Sequence, residues 1–212
     1  MKLDAFRVVP ALLLAAACPY GALAQRPRTL EMPAATVEDK IRGGLLGQIL
    51  GDLNGLRYEM KFIDEPGEVA AYTPELPEGA WTDDDTDIEW VYLVEIGRAR
   101  KLALSPAEIT AAWKRHANRR FWCSNQYLRQ LMDLGIDPPL TGRLAFNPWA
   151  DFNLSGQFLS ETWGLVAPAM PRTAARLAEH YTAVGIEGEP AQSARMFQGR
   201  ATRASPQQRC AA

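Results

Sequence analysis

Four carboxylates fall within five residues of the stretch Ala80–Ile88, at Asp83, Asp84, Asp85 and Asp87, with Thr82 and Thr86 supplying hydroxyls beside them. Charges this close repel one another unless water, helix-terminal amides or a cation offsets them. Just downstream, Ile88, Val91, Tyr92, Ile96, Ala99 and Ala103 recur at helical spacing, which places the cluster on the first turn of an amphipathic helix. Two readings fit that position. Thr or Asp capping, with further acids complementing the positive end of the dipole, is ordinary helix chemistry. Hard oxygen ligands at a helix start also suit Mg²⁺ or Ca²⁺. Capping uses one or two acids and not four, so the second reading stays open.

The rest of the chain is punctuated for helices. Thr36-Val37-Glu38-Asp39 opens one that carries Val37, Ile41, Leu45, Ile49 and Leu53 and ends near Asn54-Gly55. On a neighbouring stripe lie Gly43, Gly47, Gly51 and Gly55, each costing about 1 kcal/mol against Ala, so close helix packing is expected there. A Pro- and acid-rich loop, Asp64 to Gly79, leads into the Asp cluster. Ser105-Pro106-Ala107-Glu108 is a capping box with Pro at the first helical position, and Ile109, Ala112, Trp113 and His116 are expected to form the buried face behind it. A further helix from about Asn125 carries Leu128, Leu131 and Met132 and stops at Gly135. Asp137-Pro138-Pro139 and Thr141-Gly142 read as turns, and Asn153 to Trp163 as helix. Pro171 to Val184 is helical too, with Ala174, Leu177, Ala178 and Tyr181 on one face, and a last helix starts at Pro190. Strand alternation is absent, so the expected fold class is all-α, a multi-helix bundle.

Lys2 and Arg7 precede an apolar run from Val8 to Ala17, and Ala22-Leu23-Ala24 offers the small residues a signal peptidase reads. Residues 1–24 are therefore expected to be an export signal, 25–36 a linker, and the protein periplasmic or secreted. A lipoprotein reading at Cys18 lacks the branched residue three positions before it. No stretch approaches the roughly 20 apolar residues of a membrane-spanning helix. Cys123 and Cys210, the two cysteines beyond the signal, imply no disulfide framework and no metal spacing. The net charge is −2; setting aside +1 from the signal and +3 from the tail beginning at Gly199 leaves −6 on the body. A mildly acidic body with no basic stripe argues against nucleic acid as a partner.

Arg42-Gly43-Gly44-Leu45-Leu46-Gly47, then Gly51-Asp52-Leu53-Asn54-Gly55 with Glu59 four residues on, then Trp81-Thr82-Asp83-Asp84-Asp85-Thr86, resemble in order and spacing the ADP-ribosylglycohydrolase family. Asn147-Pro148-Trp149-Ala150-Asp151, Gln157, Trp163-Gly164-Leu165, Pro168-Ala169-Met170-Pro171 and Gly188-Glu189 look like that family's middle region, so the likeness covers residues 37–198. It implies an all-α bundle that holds two Mg²⁺ ions on the ribose of an ADP-ribosyl group and hydrolyses the glycosidic linkage. Carried over, the metal ligands are Thr82, Asp83 and Asp84. Three successive Asp residues also admit a register that includes Asp85, but a Thr must lead. Glu59 and Asp84 are the candidate catalytic carboxylates, Glu59 as base or ribose contact. Ala169 stands where the Pro-x-x-Pro turn calls for Gly.

The resemblance also implies a second Asp-rich motif nearer the carboxyl end, and none follows Asp87. The expectation is a partial domain over 37–198 with at most half a metal site, impaired in catalysis. Residues 199–212 are then a disordered or non-native tail. Unpartnered helix faces at Leu177, Tyr181 and Phe197 would favour self-association. Export makes another ribosyl or glycosyl conjugate a candidate substrate beside protein-linked ADP-ribose. Two other classes stand beside this hydrolase: a non-catalytic member of the family, and an exported helical module that binds divalent cations.

Plainer uses are expected elsewhere. Lone His116 and His180 on helix faces are structural or surface residues rather than ligands, the six tryptophans serve mainly in packing, and Arg115, Arg119 and Arg120 form a solvated helix end. Amino-terminal sequencing of the exported protein is expected to begin at residue 25; a lipidated chain beginning at Cys18 would establish the other reading.

Overall fold

The computed structural model describes residues 31–69, 83–117, 121, 123–151, 159–189 and 191–196. The chain divides into two compact units, Met1–Glu31 and Met32–Ala212, and the described helices belong to the second. The expected signal, the first half of the linker and the tail lie outside the described residues, as do Trp81, Thr82, Arg119, Arg120, Trp122, Gln157, Pro190 and Phe197.

Among the described residues there are helices and turns and no strand. They run in order as α1 (Ala34–Gly55), a 3₁₀ turn at Leu56–Tyr58, α2 (Asp84–Ala99), α3 (Pro106–His116), α4 (Cys123–Asp133), a 3₁₀ turn at Leu140–Gly142, α5 (Glu161–Val166) and α6 (Pro171–Thr182); residues 191–196 are helical as well. Local chemistry accounts for most boundaries. The Ser105–Glu108 capping box forms in both directions, with Pro106 at the first turn of α3. Gly135 adopts φ +83° just past α4, where a left-handed residue lets Ile136 N–H reach the Leu131 carbonyl. Helix α1 begins at Ala34, ahead of the Thr36 start that its acidic turn suggests, with Pro33 at the N-cap position and no side-chain cap. The stretch read as helix from Asn153 is not helical at residues 159 and 160, and its described helical part begins at Glu161.

The core is built around aromatic rings from α2, α3, α5 and α6. Tyr181 stacks on Trp163 at 4.1 Å with planes 7° apart and meets Tyr92 at 4.6 Å, tilted by 43°, with Tyr92 and Trp163 themselves 6.2 Å apart. Trp113 Nε1 donates to the Tyr92 hydroxyl at 2.8 Å, so a buried polar pair is satisfied inside the apolar cluster. The Tyr181 hydroxyl accepts from Leu104 N–H and donates to the Leu102 carbonyl, fastening the α2–α3 connection to α6. Around these rings lie Ile88, Ile109, Leu128, Met132, Leu177 and Val184.

The tertiary contacts correct several expectations. His116 is exposed, bonding Glu95 at 2.8 Å, and lies with Lys114 and Arg115 on the outer side of the last turn of α3, whose inner side is taken by Trp113. Leu177 and Tyr181 are buried by α5 and the preceding loops rather than left without partners. The glycine stripe on α1 does not serve close packing either: a methyl group added at Gly43, Gly47, Gly51 or Gly55 would meet nothing within 4 Å. The tight contact falls at the neighbouring Gly44, where a Cβ would lie 2.4 Å from a Leu165 methyl. Exposed apolar side chains include Leu46 and Leu50 on α1 and Trp90 and Val94 on α2.

Ala169 keeps the conformation a glycine would take freely, with φ +58° in the turn before α6. A Cβ there costs about 1 kcal/mol or more, only part of which glycine's looser unfolded chain gives back. Ala169→Gly is therefore expected to stabilise the fold by about 0.5 kcal/mol, read as a raised denaturation midpoint at unchanged slope.

Candidate functional site

Helix α2 begins with its acids in place. Asp83 is the N-cap: its carboxylate accepts from Asp84 N–H at 2.7 Å, and its carbonyl accepts from the N–H groups of Thr86 and Asp87. Asp84, Asp85 and Asp87 occupy the first turn, where the free amides and the dipole favour negative charge. One acid thus performs the capping, and Asp84 and Asp85 lie beyond what the cap needs. Both are half-buried.

Helix α1 packs against α2 and brings Asp52 to the same end. Asp52 is held above the usual carboxylate range by burial and then by the charge of Asp83, while an Asp83 backbone N–H opposes the shift; its Oδ2 is enclosed without a hydrogen-bond partner. Glu59 caps the 3₁₀ turn that follows α1. Its charge reaches Asp52 and Asp84, which brings the candidate base and one candidate ligand into the same electrostatic site. Burial, then Asp83, pushes Asp84 up to about 6; burial, then Asp84, Asp52, Asp83 and Glu161, pushes Asp85 up to about 7.

Two further acids belong to this region and escaped the sequence reading. Glu161, at the start of α5, is raised to about 7 by burial, with backbone N–H groups of Glu161 and Ser160 opposing. Glu89, one turn beyond Asp85, is only 2% exposed. Its carboxyl accepts from Gln48 Nε2 of α1 at 2.5 Å and from Thr162 N–H of α5 at 3.0 Å. Burial raises it to about 8. Glu89 sat on the apolar side of the α2 pattern and Glu161 is far from Asp85 along the chain, so periodicity carried no signal for either.

The arrangement is therefore a patch of carboxyl oxygens with burial and mutual repulsion as its leading influences. Among the described residues no three His, Cys, Asp or Glu side chains are placed so that one metal ion could bridge them. The donors still suit a hard cation of low protein coordination: Mg²⁺ is commonly held by one or two carboxylates and several waters. Asp83 and Asp84 could supply those, with the unpartnered Asp52 oxygen beside them. Of the sequence-derived site residues, Glu59, Asp83 and Asp84 come together, and Thr82 is outside the described residues.

The model of the family described as ADP-ribosylglycohydrolase matches residues 33–211. The chain belongs to the ADP-ribosylglycohydrolase family. The all-α architecture agrees with that membership. No curated protein and no solved structure matches the chain.

The raised Glu89 carboxyl has a consequence for stability. A carboxyl held near 8 in the folded state and near 4.5 in the unfolded one keeps its proton only when folded across that window. The folded state then binds more protons, and stability falls as pH rises from about 4.5 to 8, at up to about 1.4 kcal/mol per pH unit for one group. Glu89→Gln is expected to flatten that decline, measured by chemical denaturation at a series of pH values. An unchanged slope would show that Glu89 is ionised in the fold.

Proposed function

We propose that the chain hydrolyses a ribosyl N- or O-glycosidic linkage, with an ADP-ribosyl conjugate or a related ribosyl conjugate as substrate and Mg²⁺ as cofactor. The observation that carries the reading is the convergence of Asp52, Glu59, Asp83 and Asp84 at the end of the α1–α2 pair, in a chain that belongs to this family. Asp83 and Asp84, with Thr82, are the proposed ligands. A bound Mg²⁺ supplies charge stabilisation and orients the ribose diol. Glu59 is exposed at the rim, free to take a proton from the attacking water or to hold a ribose hydroxyl. Asp84, half-buried beside Asp83 and within reach of the Glu59 charge, is the second proposed catalytic carboxylate.

A second reading, a cation-binding module with little turnover, draws support from one observation: the described residues gather too few ligands to clamp a substrate between two fixed ions. The charged start and apolar run of residues 1–24 support export. The exposed Leu46, Leu50, Trp90 and Val94 support self-association through α1 and α2.

Calorimetry with Mg²⁺ is expected to show weak binding that Asp83→Ala combined with Asp84→Ala abolishes, and ADP-ribose release from an ADP-ribosylated protein is expected to be slow and lost in the same variant. Binding that survives the double substitution would return the cluster to helix capping. Mg²⁺ binding without release by the unmodified chain would favour the module.

A further inference from the structure

Glu89 ties together three elements at one point, and each of them carries an acid of the site next to its attachment. On α1, Gln48 lies one turn before Asp52; on α2, Glu89 lies one turn after Asp85; on α5, Thr162 directly follows Glu161. Since α1 and α2 run in opposite senses here, the Gln48–Glu89 hydrogen bond is one rung of the pair and Asp52 faces the acidic start of α2 on the next. We propose that Glu89 is a positioning residue: its buried carboxyl, shared between Gln48 of α1 and the Thr162 N–H of α5, sets where Asp52 of α1 and Glu161 of α5 stand against the acidic first turn of α2, and so the surroundings of the proposed cation site at Asp83 and Asp84. From α2, this one side chain bonds both α1 and α5. Helix α1 needs such a tie because Leu53 is its one buried residue, so apolar packing alone fixes its rotation and register weakly.

The chemistry tolerates one replacement. Gln48 Oε1 is enclosed and without a partner, so an amide at position 89 can accept from Thr162 N–H and donate to Gln48 once the Gln48 amide turns over. An alanine leaves both Gln48 and Thr162 N–H unsatisfied.

As far as it concerns Mg²⁺ the inference rests on the proposed function, and the experiment separates the two. Amide hydrogen exchange of the metal-free protein and calorimetric titration with MgCl₂ are compared for the unmodified chain, Glu89→Ala, Glu89→Gln and Val184→Ala, the last removing buried apolar volume away from the site. Glu89→Ala is expected to speed exchange in α1 and at the start of α5 and to weaken Mg²⁺ binding by at least tenfold. Glu89→Gln should restore both, and Val184→Ala should change neither selectively. Glu89→Ala matching Val184→Ala in both measurements overturns the proposal. Failure of the unmodified chain to bind Mg²⁺ would remove the metal reading, and exchange then decides alone: unaltered α1 protection in Glu89→Ala overturns the tie.

Discussion

Tyr181 meets one ring from α2 and another from α5 and is held at its hydroxyl as well, and the positions of the other helices follow from that. Trp163 and Tyr92 close on the ring from α5 and α2, while the hydroxyl takes the Leu104 N–H and gives its proton to the Leu102 carbonyl. Offset aromatic contacts have preferred geometry as well as apolar area, so this arrangement limits how α2 can rotate or slide. The side of α2 carrying Ile88 and Tyr92 is thereby committed to the core, and the acidic first turn is carried to a defined place at its end.

The acidic end is costly for the same protein. Burial raises Asp52, Asp84, Asp85, Glu89 and Glu161, and repulsion from neighbouring carboxylates adds to it at the first four, which means that each would hold a proton more readily than in water. Helix-terminal amides offset part of this at Asp83. A fold selected for stability alone has no need of further carboxyls around a satisfied cap. Strained electrostatics of this kind concentrate where a site handles protons or a cation.

Away from the site, close backbone approach accounts for residues that looked like ordinary turn chemistry. Gly142 lies against the Ala183 carbonyl, where a Cβ would sit 2.3 Å away, and the Thr141 hydroxyl donates to the Val184 carbonyl at 2.6 Å. Buried Asn147 donates to the Ser124 and Thr141 carbonyls and accepts from Trp149 N–H, which binds the loop before α5 to α4. Glu187 takes Arg143 and Leu144 N–H, with Ala150 accepting from its backbone, and closes the segment after α6 onto the same loop.

Sequence by itself determined what depends on neighbours along the chain: the helical class, the Ser105–Glu108 capping box, the stop at Gly135, and the placing of Asp83 to Asp87 on the first turn of α2. Periodicity and capping are local, and the order of short motifs was enough to point to the family. Tertiary structure decided which faces meet. The glycine stripe of α1 looks onto open space and only Gly44 is packed, His116 turns outward to Glu95, and Leu177 and Tyr181 are covered by partners that no pattern in α6 could name. It also decided that Glu89 and Glu161 join Asp52 and Asp85, because their meeting depends on how α1, α2 and α5 cross, and a carboxyl on the apolar side of a helix finds its hydrogen bonds only once another helix has come to rest against it.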